Sequence, residues 1–133
     1  MIERKKIKQK GGFMKVAVVD DSFMIQNAVR DAIYSSFPDA EVDTFCGLGY
    51  FDADDYDVLI VDNDGIGDSH FRNGVEFLKA LDFDKNEKTV ILFTGFCQGN
   101  DMKVLTAKGV RVAIKGGGCD EIVEIISESR RIK

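Results

Sequence analysis

The sequence predicts a doubly wound α/β domain: a five-stranded parallel sheet with helices on both faces. Two observations carry this prediction. Short β-branched runs alternate with segments of helical apolar spacing, five times along the chain. Such alternation implies a parallel sheet covered on both sides. The length, 133 residues, suits one domain, and folding at that size buries roughly two-thirds of the unfolded chain's surface. No repeat, low-complexity segment or linker divides the chain. Residues 14–133 are read as the domain and residues 1–13 as a basic, disordered leader.

Each element has its own warrant. Lys15–Val19 (KVAVV) is a buried strand ending in Asp20 and Asp21. Ser22 can cap a helix running to about Ser36, with Met24, Ile25, Ala28, Val29, Ala32 and Ile33 as its apolar face. Pro38 and Asp39 end that pattern. Glu41–Phe45 (EVDTF) alternates and reads as a more exposed strand. Residues 46–56 hold two glycines and three aspartates, so any helix there is one or two turns. Asp57–Val61 (DVLIV) is a third strand, apolar on both faces. Gly74–Leu81 is a helix with Val75, Leu78 and Leu81 inward. Thr89–Phe93 (TVILF) is a fourth strand. Asp101–Lys108 is a helix stopped by Gly109. Val110–Ile114 is a fifth strand, Gly116–Gly118 a flexible turn, and Asp120 caps a last helix marked by Ile122, Ile125, Ile126, Ser129 and Ile132.

Charge and cysteine usage narrow the function classes. Arg4, Lys5, Lys6, Lys8 and Lys10 against Glu3 give residues 1–13 a charge of +4, so the rest of the −5 chain carries −9. An acidic body argues against a nucleic-acid surface. No apolar run approaches a membrane span, and the leader lacks the apolar segment of a secretory signal. Cys46, Cys97 and Cys119 are odd in number and have no metal-ligand spacing, which reads as reduced thiols in a cytoplasmic protein. His70 is the only histidine, so a His-rich metal site is impossible. Lys10-Gly11-Gly12 can be encoded by a ribosome-binding sequence just upstream of Met14, which makes Met14 the expected native start. A native N-terminus at Met1 would remove that idea.

In sheets of this kind the ligand site lies at the carboxyl ends of the strands. That edge collects Asp20 and Asp21 from the first strand, Asp62 from the third, Thr94 from the fourth and Lys115 from the fifth. The first, third, fourth and fifth strands are the most apolar and are expected at the centre. Two unit charges about 4 Å apart repel by about 4 kcal/mol at an effective dielectric of 20, so three carboxylates need a cation. Oxygen-only ligands with room for water suit Mg²⁺. Asp62 is the natural nucleophile, because a carboxylate can form an aspartyl-phosphate. Lys115 and Thr94 can hold phosphoryl oxygens. Singly, each residue has a plainer reading: a turn former, a helix cap or a solvated lysine. Their convergence is what carries the chemistry.

The ordered set VVDD (18–21), VLIVDND (58–64), ILFTG (91–95) and VAIK (112–115) resembles the receiver domain of response regulators, the CheY-like fold, over residues 15–130. Spacings of 41 residues from Asp21 to Asp62, 32 to Thr94 and 21 to Lys115 fit that family. The resemblance implies that Asp62 accepts a phosphoryl group from a histidine kinase or histidine phosphotransfer protein. It implies Mg²⁺ held by Asp20, Asp21, Asp62 and the Asp64 backbone carbonyl. Thr94 would bond the phosphoryl oxygen and Lys115 would pair with it. The reading is a stand-alone receiver, not an enzyme beyond self-phosphorylation and autodephosphorylation, that binds a downstream protein when phosphorylated. The expected partner surface is the helix at 101–108, the strand at 110–114 and the last helix.

Departures from the family pattern are visible. Gly116 stands where the family has proline, and Val112 where it has an aromatic switch residue. The turn after Asp62 is longer, with Asn73-Gly74 arriving late. Asp64 puts a carboxylate two residues from the acceptor, and is expected to alter the lifetime of the aspartyl-phosphate. Rival readings are weaker. DNDGI (62–66) resembles the motif of haloacid-dehalogenase phosphatases, with Asp62 as nucleophile and Asp64 as acid/base, but the acidic pair comes first here. A calcium loop from Asp62 fails at Ile66 and Asn73. The glycine run lacks a phosphate-loop pattern. A phosphorylation-independent pseudo-receiver is disfavoured by the complete set of five residues.

Overall fold

The computed structural model describes residues 13–132, with side chains to Arg130. The leader assigned to residues 1–13, apart from Phe13, and the side chain of Ile132 lie outside the described residues. Five strands form one parallel sheet: β1 (Lys15–Val19), β2 (Glu41–Phe45), β3 (Val58–Val61), β4 (Thr89–Thr94) and β5 (Arg111–Ile114), in the order β2-β1-β3-β4-β5. Four α-helices connect or follow them: α1 (Phe23–Ser36), α2 (Gly74–Ala80), α3 (Gly99–Lys108) and α4 (Asp120–Ile132). The predicted doubly wound sheet is therefore present.

Side-chain alternation along the strands divides the core into two layers. Val16, Val18, Val58, Ile60, Ile91, Phe93 and Ala113 point to one face, where Val29 and Ile33 of α1 and Ile122, Ile125 and Ile126 of α4 cover them. Ala17, Val19, Leu59, Val61, Val90 and Leu92 point to the other, against Val75 and Leu78 of α2 and Leu105 of α3. The central strands are thus apolar on both sides, as Val58–Val61 and Ile91–Phe93 promised.

Several details differ from the sequence reading. β5 is an edge strand, with Arg111 and Ile114 exposed; apolarity reported buried faces, not hydrogen-bonded neighbours. In α1, Met24 and Ala28 are exposed, while Gln26 joins Val29 and Ile33 inside. The expected Ser22 cap is present, its hydroxyl accepting from the Ile25 N–H at 3.3 Å. Residues 46–56 form no α-helix. Two single-turn 3-10 helices, Leu48–Tyr50 and Ala53–Asp55, stand there, within the one or two turns expected, and the Phe51 and Tyr56 rings pack against Phe45, Tyr56 edge-on. α2 stops at Ala80 and α3 starts at Gly99, two residues before the expected Asp101. The turn expected at Gly116–Gly118 is present and begins one residue earlier, as a 3-10 turn over Lys115–Gly117. Cys119, not Asp120, holds the cap position of α4, because the Val123 N–H bonds its carbonyl. Gly109 ends α3 in the left-handed conformation, as expected.

Candidate functional site

β1 and β3 pair in register through Val19 and Val61. The next residue on each strand, Asp20 and Asp62, therefore emerges side by side at the carboxyl edge. Both are buried, at 2% and 6% exposure. Asp21 is exposed and joins them. Carboxylate oxygens of Asp20, Asp21 and Asp62 all lie within 4.8 Å of one another. Lys115, delivered by β5, completes the group. Its ammonium bridges Asp20 Oδ2 at 2.9 Å and Asp62 Oδ1 at 3.2 Å, and lies 5.9 Å from the centre of the Phe93 ring.

Backbone groups fix the two buried acids. The Ser22 N–H donates to Asp20 Oδ1 at 2.9 Å. The Asn63 N–H donates to Asp62 Oδ1 at 2.7 Å. Asn63 also anchors the loop to α2, its side-chain oxygen accepting from the Val75 N–H at 2.9 Å. Two glycines are needed for close approach. A Cβ on Gly74 would stand 2.0 Å from the Asp62 carbonyl, and one on Gly65, at φ +80°, would stand 2.2 Å from Asp21 Oδ2.

Burial pushes the Asp62 carboxyl above its ordinary range, and the neighbouring Asp20 charge adds to this. Hydrogen bonds from Lys115 and Asn63 offset part of the rise. Burial works against the Lys115 charge, but its bonds to Asp20 and Asp62 outweigh that and hold its pKa above the usual value. A cluster of three carboxylates around one ammonium is short of positive charge. Its oxygen-only donors fit a hard divalent cation such as Mg²⁺.

The structure thus brings Asp20, Asp21, Asp62 and Lys115 together. Thr94 is at the same edge and buried, but its hydroxyl donates to the Phe96 carbonyl at 3.2 Å and not to Asp62. Asp64 is exposed, and its carboxylate is outside the cluster formed among the described residues. Sequence reasoning missed the supports: the Ser22 amide, Asn63 and Gln26. Only Gln26 left a signal, a long polar side chain one turn before Val29 and Arg30.

No family model matches the chain, and no curated protein matches it by sequence. Solved structures do match. The response regulator DrrB of Thermotoga maritima superimposes with a TM-score of 0.67 at 22% identity, over 84% of this chain and 50% of that one. The chain has the receiver fold of response regulators, the CheY-like fold. A CheY-like receiver domain protein from Methanospirillum hungatei matches the receiver fold at TM-score 0.69 and 18% identity, covering 90% of this chain and 94% of that one. The isolated receiver domain of RcsB from Salmonella enterica, in the presence of phosphomimetic BeF3−, matches at 0.71 and 17%, covering 86% of each. This chain spans half the length of full DrrB. Among the described residues, no helix is long and apolar enough to cross a membrane.

Proposed function

We propose that the protein is a phosphorylation-dependent receiver whose acceptor is Asp62. The observation that carries this is the cluster of Asp20, Asp21 and Asp62 at the carboxyl edge of a receiver fold, with Lys115 bridging Asp20 and Asp62. The solved relative prepared with phosphomimetic BeF3− supports the same chemistry.

Asp62 is held for attack through one oxygen. Oδ1 takes the Asn63 N–H and the Lys115 ammonium. Among the described residues no donor reaches Oδ2, so that oxygen keeps its lone pairs. It attacks phosphorus, an O–P bond forms, and the bond to the donor breaks: P–N for a phosphohistidine, P–O for acetyl phosphate. The donor's electron pair leaves with it. Asp20, Asp21 and Asp62, with the Asp64 backbone carbonyl, would hold Mg²⁺, which supplies positive charge to the transferred oxygens. Lys115 then turns its ammonium from a carboxylate pair to the phosphoryl group. Thr94, whose present acceptor is the Phe96 carbonyl of its own loop, gives its hydroxyl to a phosphoryl oxygen. That rearrangement moves the loop between β4 and α3, and the added charge of about −1.5 to −2 biases the surface of α3, β5 and α4 toward a protein partner. The donor class is a histidine kinase or phosphotransfer protein. The domain assignment is residues 14–133, and the place of action is the cytoplasm.

The test is chemical. Label from radiolabelled acetyl phosphate is expected to enter the protein only with Mg²⁺ and to be released by hydroxylamine, as an acyl phosphate is. Hydroxylamine-stable label would contradict an aspartyl-phosphate. No label at all would favour a phosphorylation-independent interaction module. Turnover of a phosphomonoester, abolished by Asp64→Asn, would favour a phosphatase.

A further inference from the structure

We infer that Gln26 is a positioning residue for the cation site, acting through Asp20. The inference rests on the metal-binding reading above and adds a residue to it. Gln26 is 4% exposed on the inner face of α1. An amide at such a site costs free energy unless its hydrogen bonds are made. Its donor bonds are made to the carbonyl of Asp20 itself and to the end of the neighbouring strand β2. Its Nε2 donates to the Asp20 carbonyl at 2.6 Å and to the Phe45 carbonyl at 3.4 Å.

The contacts close a frame around Asp20. The Asp20 N–H donates to the same Phe45 carbonyl at 2.9 Å. The Ser22 N–H holds Asp20 Oδ1, and the Gln26 backbone N–H returns to the Ser22 carbonyl at 3.0 Å. Asp20 is therefore fixed at its amide, its carbonyl and Oδ1. Only Oδ2, shared with Lys115, is left to answer a cation. An apolar residue at position 26 would fill the volume and release the carbonyl end of this frame. The carboxylate would then sample orientations that do not converge with Asp21 and Asp62.

Outer partners of metal ligands, when removed, typically lower metal affinity about 10- to 100-fold. Calorimetric Mg²⁺ titration of the whole chain, well below each variant's melting temperature, reads this directly. Wild type is expected to bind. Gln26→Met, similar in length but without a donor, is expected to bind at least about tenfold more weakly. Gln26→Asn keeps the amide but is too short, and is expected to weaken binding likewise; it carries the test if the first variant fails to fold. Val29→Ala, one turn on in the same core, should lower the melting temperature and leave Mg²⁺ affinity alone. Equal affinity in wild type and the foldable Gln26 variant overturns the inference while the metal reading stands. Mg²⁺ failing to bind wild type overturns both.

Discussion

Asp62 and Asp20 face one another across two buried strand ends, and Lys115 is the only cation the structure places between them among the described residues. Lys115→Met leaves that repulsion unanswered. Removing one partner of a fully buried pair costs about 3–5 kcal/mol; Lys115 is partly exposed, so a loss of about 2 kcal/mol is expected. Urea unfolding at neutral pH measures it, and Mg²⁺ should restore much of the loss by replacing the ammonium. A variant as stable as wild type would contradict the electrostatic account. The raised Asp62 carboxyl gives a pH prediction. A carboxyl that holds its proton more tightly in the fold than in the unfolded chain costs stability as pH rises through its folded pKa. Asp62→Asn removes that cost. Its melting temperature should equal wild type's well below 3.8, the ordinary carboxyl value, and exceed it above the raised folded value. A difference that does not change with pH would count against burial of a charged Asp62. At this scale the acids and the lysine were legible, because each ends an apolar run. Gln26 and Ser22 act through backbone carbonyls and amides, which a sequence does not display.

Elements decide how tightly the acceptor is held. α2 begins against the Asp62 carbonyl, and Gly74 is the residue that permits it. Gly74→Ala must push backbone against backbone, so a loss of about 1–3 kcal/mol is expected, as for other overpacked sites. Gly117→Ala, with nothing within 4 Å of its would-be Cβ, is the matched control and should be near neutral. Thermal unfolding of the two variants compares them; equal losses would mean the approach of α2 to Asp62 is unimportant. The strands were legible nearly to the residue, because KVAVV, VLIV and TVILF need two apolar faces. The segment at 46–56 was not. Its Phe51 ring packs between Phe45 and Tyr56 nearby in sequence and, edge-on, against Phe77 of α2, a contact across 26 positions that no local pattern announces. The edge position of β5 was misread for a similar reason. Val110 and Ala113 are buried, but burial of side chains does not tell which strand lacks a neighbour.

For the whole molecule, a ligand that binds only the folded state stabilises it by mass action. Mg²⁺ at one hundred times its dissociation constant should add about 2.7 kcal/mol, seen as a higher melting temperature, and Asp21→Asn should lose most of that gain. An equal gain in both would place the cation elsewhere. The doubly wound order followed from the alternation of elements, and the site followed from what that order collects at one edge. The central claim is that Asp62 accepts the phosphoryl group. Intact mass after acetyl phosphate and Mg²⁺ tests it most directly: wild type should gain one phosphoryl mass and Asp62→Asn none. The same gain in both proteins would contradict it.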